Sequence, residues 1–222
     1  MFGAFRRLTS KYGDLSKAAP WSLAFATCWV KGAASDITSQ TVIEGRSLSI
    51  ANFSMTDKAM VGNQGDDAQV VQPVNLRRMC AFATFSGAYL GCGQHFFYNV
   101  VFLKLFGEGT TRAAISKVAA DSAVHVPMIY LPLYYMFENT ALGGSPEKGL
   151  KQYSEEWWDT CFAYWRMWPA FHFINFRFNR PELRIATIAV FSYLWLIVLS
   201  FLSHKRLDHA PPDQGSASVD AK

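Results

Sequence analysis

The chain has 222 residues, half of them apolar, with 18 Phe, 9 Tyr and 7 Trp and a net charge of +4. That apolar and aromatic content excludes a disordered or linker protein, and basic residues scattered along the whole chain give no support for a nucleic-acid partner. Mean hydropathy is only +0.07, but the average hides segregation: Asp, Glu, Lys and Arg are absent from Met79 to Leu103 and again from Ile185 to Ser203. At about 1.5 Å per residue either stretch is long enough to cross a hydrocarbon core of about 30 Å as a helix. The expectation is an all-α fold, a polytopic helical membrane protein of four to five transmembrane helices in a lipid bilayer. Residues 18–203 would form one helical membrane domain.

Residues 1–17 read as a short amphipathic helix. Phe2, Phe5, Leu8 and Tyr12 share one arc, Arg6, Arg7, Lys11 and Lys17 fall on the other, and no acid precedes Asp14. Basic, amphipathic, acid-poor segments of this kind are either organelle-targeting or interfacial elements, and the apolar run of a secretory signal is missing. A first span is expected from about Ala18 to Ile43. The polar stretch 44–75 that follows, with Gly62-Asn-Gln-Gly-Asp-Asp67, is expected to be an extramembrane loop.

The second span runs from about Met79 to Leu105. Its Ala83, Gly87 and Gly91 repeat every four residues, the spacing that lets two helix backbones approach closely. The third, near Ala113 to Leu142, is interrupted by Pro127 and Pro132, which implies a kink or a broken helix. The fourth covers about Trp157 to Phe178 and carries Trp158, Cys161, Trp165, Trp168, His172, Asn175 and Asn179 as one stripe at helical spacing. Ile185 to Ser203 is the fifth, and 204–222 is a polar tail. Basic residues divide almost evenly between the two sides of such a topology, so charge does not orient it.

Polar residues inside these spans are costly in lipid and must face protein, water or one another. Gly32, Asp36 and Gln40 lie four apart, as do Lys117, Asp121 and His125, and Lys31, Arg166 and His172 also fall inside the expected spans. Two such stripes fit either a polar path through the bundle or an internal network in which Arg166 pairs with Asp36 or Asp121. Composition alone leaves both open. No nucleophile motif, phosphate loop or close-spaced metal-ligand pair is present, so no enzyme activity, metal or cofactor is expected. Cys28, Cys80, Cys92 and Cys161 are expected to be buried free thiols.

The run Trp165-Arg-Met-Trp168-Pro169-Ala-Phe-His172-Phe-Ile-Asn175-Phe176, followed by Arg184, Trp195 and Leu199-Ser200, resembles the C-terminal signature of the peroxisomal membrane protein family of about twenty-two kilodaltons. That family includes mitochondrial inner-membrane members. His172 stands where the family has Gln, and Asn179-Arg180 where it has Val-Pro. Asp36 to Gln40, Gly91 to Tyr98 and Asp121 to Pro127 resemble three further family segments in the right order. The resemblance implies a small protein of the mitochondrial inner membrane, or alternatively of the peroxisomal membrane, with no cofactor. It also implies a channel-like or solute-permeability function of the kind proposed for some members. The alternative is a structural accessory subunit of a larger mitochondrial membrane complex. A homo-oligomer or such a complex would be the partner.

Overall fold

The computed structural model describes residues 2–47 and 73–208, with side chains placed over 6–47 and 73–197. Ten α-helices follow in order, and no strand forms among the described residues beyond a single bridge between Ser47 and Pro73. Helix α1 (Phe2–Ala18) precedes α2 (Pro20–Thr38), which continues into a wide π turn at Ser39–Ile43. The Ser47–Pro73 bridge ties together the two described ends of the polar loop, whose residues 48–72 lie outside the described residues. The same holds for 209–222 of the tail and for the side chains of Phe2, Phe5, Leu199 and Ser200.

A second rod is helical without interruption from Leu76 to Phe106: α3 (Leu76–Phe85), a π stretch, α4 (Gln94–Phe96), a second π stretch, and α5 (Phe102–Phe106). The third rod is α6 (Thr111–Ala120), the π stretch Asp121–Tyr130 and α7 (Leu131–Ala141). Pro127 sits inside this stretch, where the wider hydrogen-bond spacing accommodates a residue with no N–H to donate. The expected interruption is therefore a widened turn. Tyr153 donates to the Pro127 carbonyl at 2.6 Å, recruiting a side chain to it.

The expected fourth span is two helices, α8 (Pro146–Trp165) and α9 (Trp168–Phe178), separated at Arg166–Met167 with Pro169 in the first turn of α9. The tryptophan stripe divides accordingly. Trp158 is exposed, whereas Cys161, His172 and Asn175 are buried. A short 3₁₀ turn at Pro181–Leu183 leads into α10 (Arg184–Asp208). Taken singly, no helix among the described residues is both long and apolar enough to cross a membrane.

Small residues set the tightest packing. A Cβ on Gly91 would stand 2.5 Å from the Ala24 carbonyl oxygen, and one on Gly32 would stand 2.6 Å from the Ser86 Cβ. The α2 rod and the Leu76–Phe106 rod are thus in near backbone contact, sealed by a hydrogen bond from the Ser86 hydroxyl to the Cys28 carbonyl at 2.7 Å. The central core lies where α2, the second rod, α6, α9 and α10 meet, around Cys28, Tyr98, Phe102, Ala114, Phe176 and Ile188. A smaller cluster of Val126, Leu131, Tyr153 and Cys161 joins the third rod to α8. All four cysteines are free, but Cys80 is exposed and Cys92 half-buried, so the expected burial holds for Cys28 and Cys161 alone.

Candidate functional site

Three polar nodes occupy the interior. The first centres on Asp121, which is fully buried at the start of the π stretch. Its Oδ1 accepts from the Tyr98 hydroxyl at 2.8 Å and from His125 Nδ1 at 2.7 Å, and its Oδ2 accepts from the Tyr164 hydroxyl at 2.5 Å. With its proton on Nδ1, the His125 ring donates to Asp121 and accepts at Nε2 from the Tyr89 hydroxyl, 3.2 Å away. His172 approaches from α9, its Nε2 3.8 Å from Asp121 Oδ2, and its buried Nδ1 has no hydrogen-bond partner. Trp165 Nε1 donates to the Ser122 carbonyl at 2.9 Å, and Trp168 stacks on Tyr164 and His172, so α8 and α9 are locked around the carboxylate.

A buried carboxylate is tolerable because each oxygen receives charge-assisted hydrogen bonds. Aromatic donors supply them here, and two of the three, Tyr98 and Tyr164, come from other elements than the one carrying Asp121. Among the described residues no group of His, Cys, Asp or Glu is arranged to hold a metal ion.

The second node is Asp36. Gln40 Nε2 donates to its Oδ2 at 2.6 Å and Arg78 Nε to its Oδ1 at 3.0 Å, while Arg78 also reaches Glu44 at 2.6 Å. Gln40 turns its other end to Asn75, accepting from the backbone N–H at 2.6 Å. This node clamps the end of the α2 rod to the start of α3.

The third node gathers around Glu108. Its carboxylate accepts from Lys117 Nζ at 3.1 Å and from Arg184, the fully buried first residue of α10. Arg184 also donates to Asn99 Oδ1 at 3.3 Å. Asn175 donates to the Arg184 carbonyl at 3.5 Å and accepts from Asn179 at 2.7 Å, and Phe176 lies against both cations. Glu108 stands outside the helical rods. Partial burial pushes its carboxyl up, but the hydrogen bonds and charges of Arg184 and Lys117 outweigh this and hold it below the ordinary glutamate value.

The structure therefore brings Asp36 and Gln40 together, and Asp121 with His125. It turns Lys117 away from them, to Glu108. Two sequence expectations need correction. Arg166 is exposed and pairs with neither Asp36 nor Asp121, because α8 ends at Trp165 and Arg166 lies in the turn before α9. Lys31 is half-buried on α2 and makes no ion pair with a described residue. Among the motif residues, Trp195 is half-buried on α10. Sequence reasoning missed Glu108, Arg78, Tyr98 and Tyr164. The one local signal was the Gly107-Glu108-Gly109 turn, in which both glycines have positive φ, 75° and 81°.

Residues 140–200, which contain Trp165, Trp168, Pro169, His172, Asn175, Phe176, Arg184 and Trp195, match the Mpv17/PMP22 family. Protein SYM1 of Eremothecium gossypii is 30% identical over 129 residues, which cover 58% of this chain and 70% of that protein. The chain belongs to the Mpv17/PMP22 family. SYM1 of Saccharomyces cerevisiae is 28% identical over 104 residues, covering 44% of this chain and 52% of that protein. The peroxisomal membrane protein PMP22 of Arabidopsis thaliana is 21% identical over 131 residues, covering 59% and 68%. The Arabidopsis relative is by its name a peroxisomal membrane protein, one of the two locations expected from the sequence. No solved structure matches this Mpv17/PMP22 chain.

Proposed function

We propose that this Mpv17/PMP22 protein resides in the mitochondrial inner membrane, crosses it with its helical rods, and serves as a structural subunit of a larger membrane assembly, without enzymatic chemistry or a cofactor. The distribution of side chains supports the crossing. Ile115, Val124, Met128, Ile174, Phe178 and Val190 are exposed on the outside, while Asp36, Lys117, Asp121, His125 and Arg184 are buried within. Apolar outside with paired charge inside is the arrangement that lipid selects. The continuous helical path from Leu76 to Phe106 exceeds the length needed for a core of about 30 Å, although its π stretches divide it into short α-helices.

The observation that carries the structural role is the closure of the Asp121 node, whose acceptors are taken up by Tyr98, His125 and Tyr164. A carboxylate satisfied in this way holds helices together and leaves no vacant polar face for a solute. A channel-like activity is the second reading. It is favoured by the placement of Asp121 at the head of a Pro-containing π stretch, a helix segment able to repack between two hydrogen-bond registers.

Native electrophoresis of the mildly solubilised protein tests the first reading. Migration within a large complex is expected, and migration as a free chain would overturn it. For location, Arg6, Arg7 and Lys11 replaced together by Glu should misplace a tagged protein, and unchanged mitochondrial import would refute targeting by α1.

A further inference from the structure

Lys117 and Arg184 are both fully buried, yet they share one carboxylate. No other acid pairs with either among the described residues, so the Glu108–Lys117–Arg184 cluster keeps one uncompensated positive charge in a low-dielectric setting. Such a charge is expensive unless an anion answers it. Asn99, the Phe176 carbonyl and the Phe176 ring soften it with dipoles and do not neutralise it. Arg184 Nε is buried with no hydrogen-bond partner, so part of the guanidinium's donor capacity is unused.

The two cations are fixed on α6 and α10, whereas Glu108 is the accessible member. Its side chain is 35% exposed and stands between Gly107 and Gly109, with open space around both. More positive charge surrounds the entrance, since Arg177 Nε lies 3.4 Å from the Thr111 hydroxyl and Arg112 is exposed beside it.

We propose that Lys117 and Arg184 form a binding site for a phosphate-type oxyanion, free phosphate or the phosphate of an anionic lipid headgroup, which Glu108 fills as an internal stand-in when no ligand is bound. A guanidinium fork together with an ammonium point charge suits a multi-oxygen anion better than it suits chloride. The site is independent of whether the protein conducts or builds an assembly.

The test uses the full-length protein in detergent, with melting followed in chloride, in inorganic phosphate at equal ionic strength, and with added phosphatidylglycerol. Glu108→Gln should melt below wild type in chloride and recover in phosphate or phosphatidylglycerol, and its Kd for the effective anion should be at least about tenfold tighter, because the competing carboxylate is gone. Recovery with phosphate in lipid-free detergent assigns the free ion. Recovery with phosphatidylglycerol alone assigns the headgroup. Lys117→Met, alone or on the Glu108→Gln background, should abolish the response. A Glu108→Gln protein equally destabilised in all three media, or equal to wild type in all three, would overturn the proposal, as would a response that survives Lys117→Met.

Discussion

Asp121→Asn exchanges one acceptor oxygen for a donor and removes the charge from a node of three hydrogen bonds. The least costly placement keeps the amide oxygen where Tyr98 and His125 converge and turns the NH2 toward Tyr164, whose hydroxyl must then rotate to accept. All three bonds survive in number but lose their charge assistance. Charged hydrogen bonds contribute about 1.5–3 kcal/mol and neutral ones about 0.5–1.5, so a loss of about 1 kcal/mol each gives about 3 kcal/mol in total. For a chain of this size that corresponds to a Tm lowered by about 6–12 °C. Thermal unfolding of the detergent-solubilised protein, followed by tryptophan fluorescence, measures it. Tyr98→Phe and the double variant should show non-additive losses because both act on Oδ1. Arg166→Gln, at an exposed residue, should stay within about 0.5 kcal/mol of wild type. An Asp121→Asn protein as stable as wild type, with strictly additive behaviour against Tyr98→Phe, would refute the closed network.

Gly91→Ala should destabilise by about 1–3 kcal/mol, since its Cβ would meet backbone atoms of Ala24 and Phe25 that cannot swing aside; Gly93→Ala, facing only the Tyr89 ring at 3.4 Å, should be near neutral, and equal melting of the two would contradict the close-packed seam. Trp168→Ala should cost about 3 kcal/mol because the ring contacts Tyr164, Phe171, His172 and Phe191, and wild-type stability would show that those contacts carry little. Glu108 is held below its ordinary value of 4.5, so its contribution is fully present above about pH 4.5 and is lost as the pH falls through the depressed folded-state value. The stability gap between wild type and Glu108→Gln in phosphate-free buffer should therefore be constant above pH 5 and close in more acid solution, and a gap that widens on acidification would reverse the sign.

The helical architecture was legible because charge-free stretches and small-residue spacing are local properties of the chain. Asp36 with Gln40, and Asp121 with His125, were legible for the same reason, since residues four apart on a helix meet. Partners distant in sequence were not. Arg78 reaches Asp36 only because the small residues of α2 and the second rod bring α3 alongside, and Arg184 reaches Glu108 only through the turn that both glycines permit. A single helix through the fourth span would carry Arg166 inward, but the turn between α8 and α9 leaves it exposed. Tyr98 and Tyr164 satisfy the most deeply buried acid through hydroxyls whose partner lies 23 and 43 residues away, so no local pattern marks them.

The central claim, that the Asp121 carboxylate is closed off by hydrogen bonds and joins helices instead of lining a path, is tested most directly by reconstituting the purified, well-folded protein in planar bilayers and recording single-channel current. The account predicts no unitary conductance from the wild-type protein under conditions in which Asp121→Asn lowers its melting temperature. Discrete current steps whose ion selectivity shifts in Asp121→Asn, with stability unchanged, would contradict it and establish the polar stripes as the lining of a path.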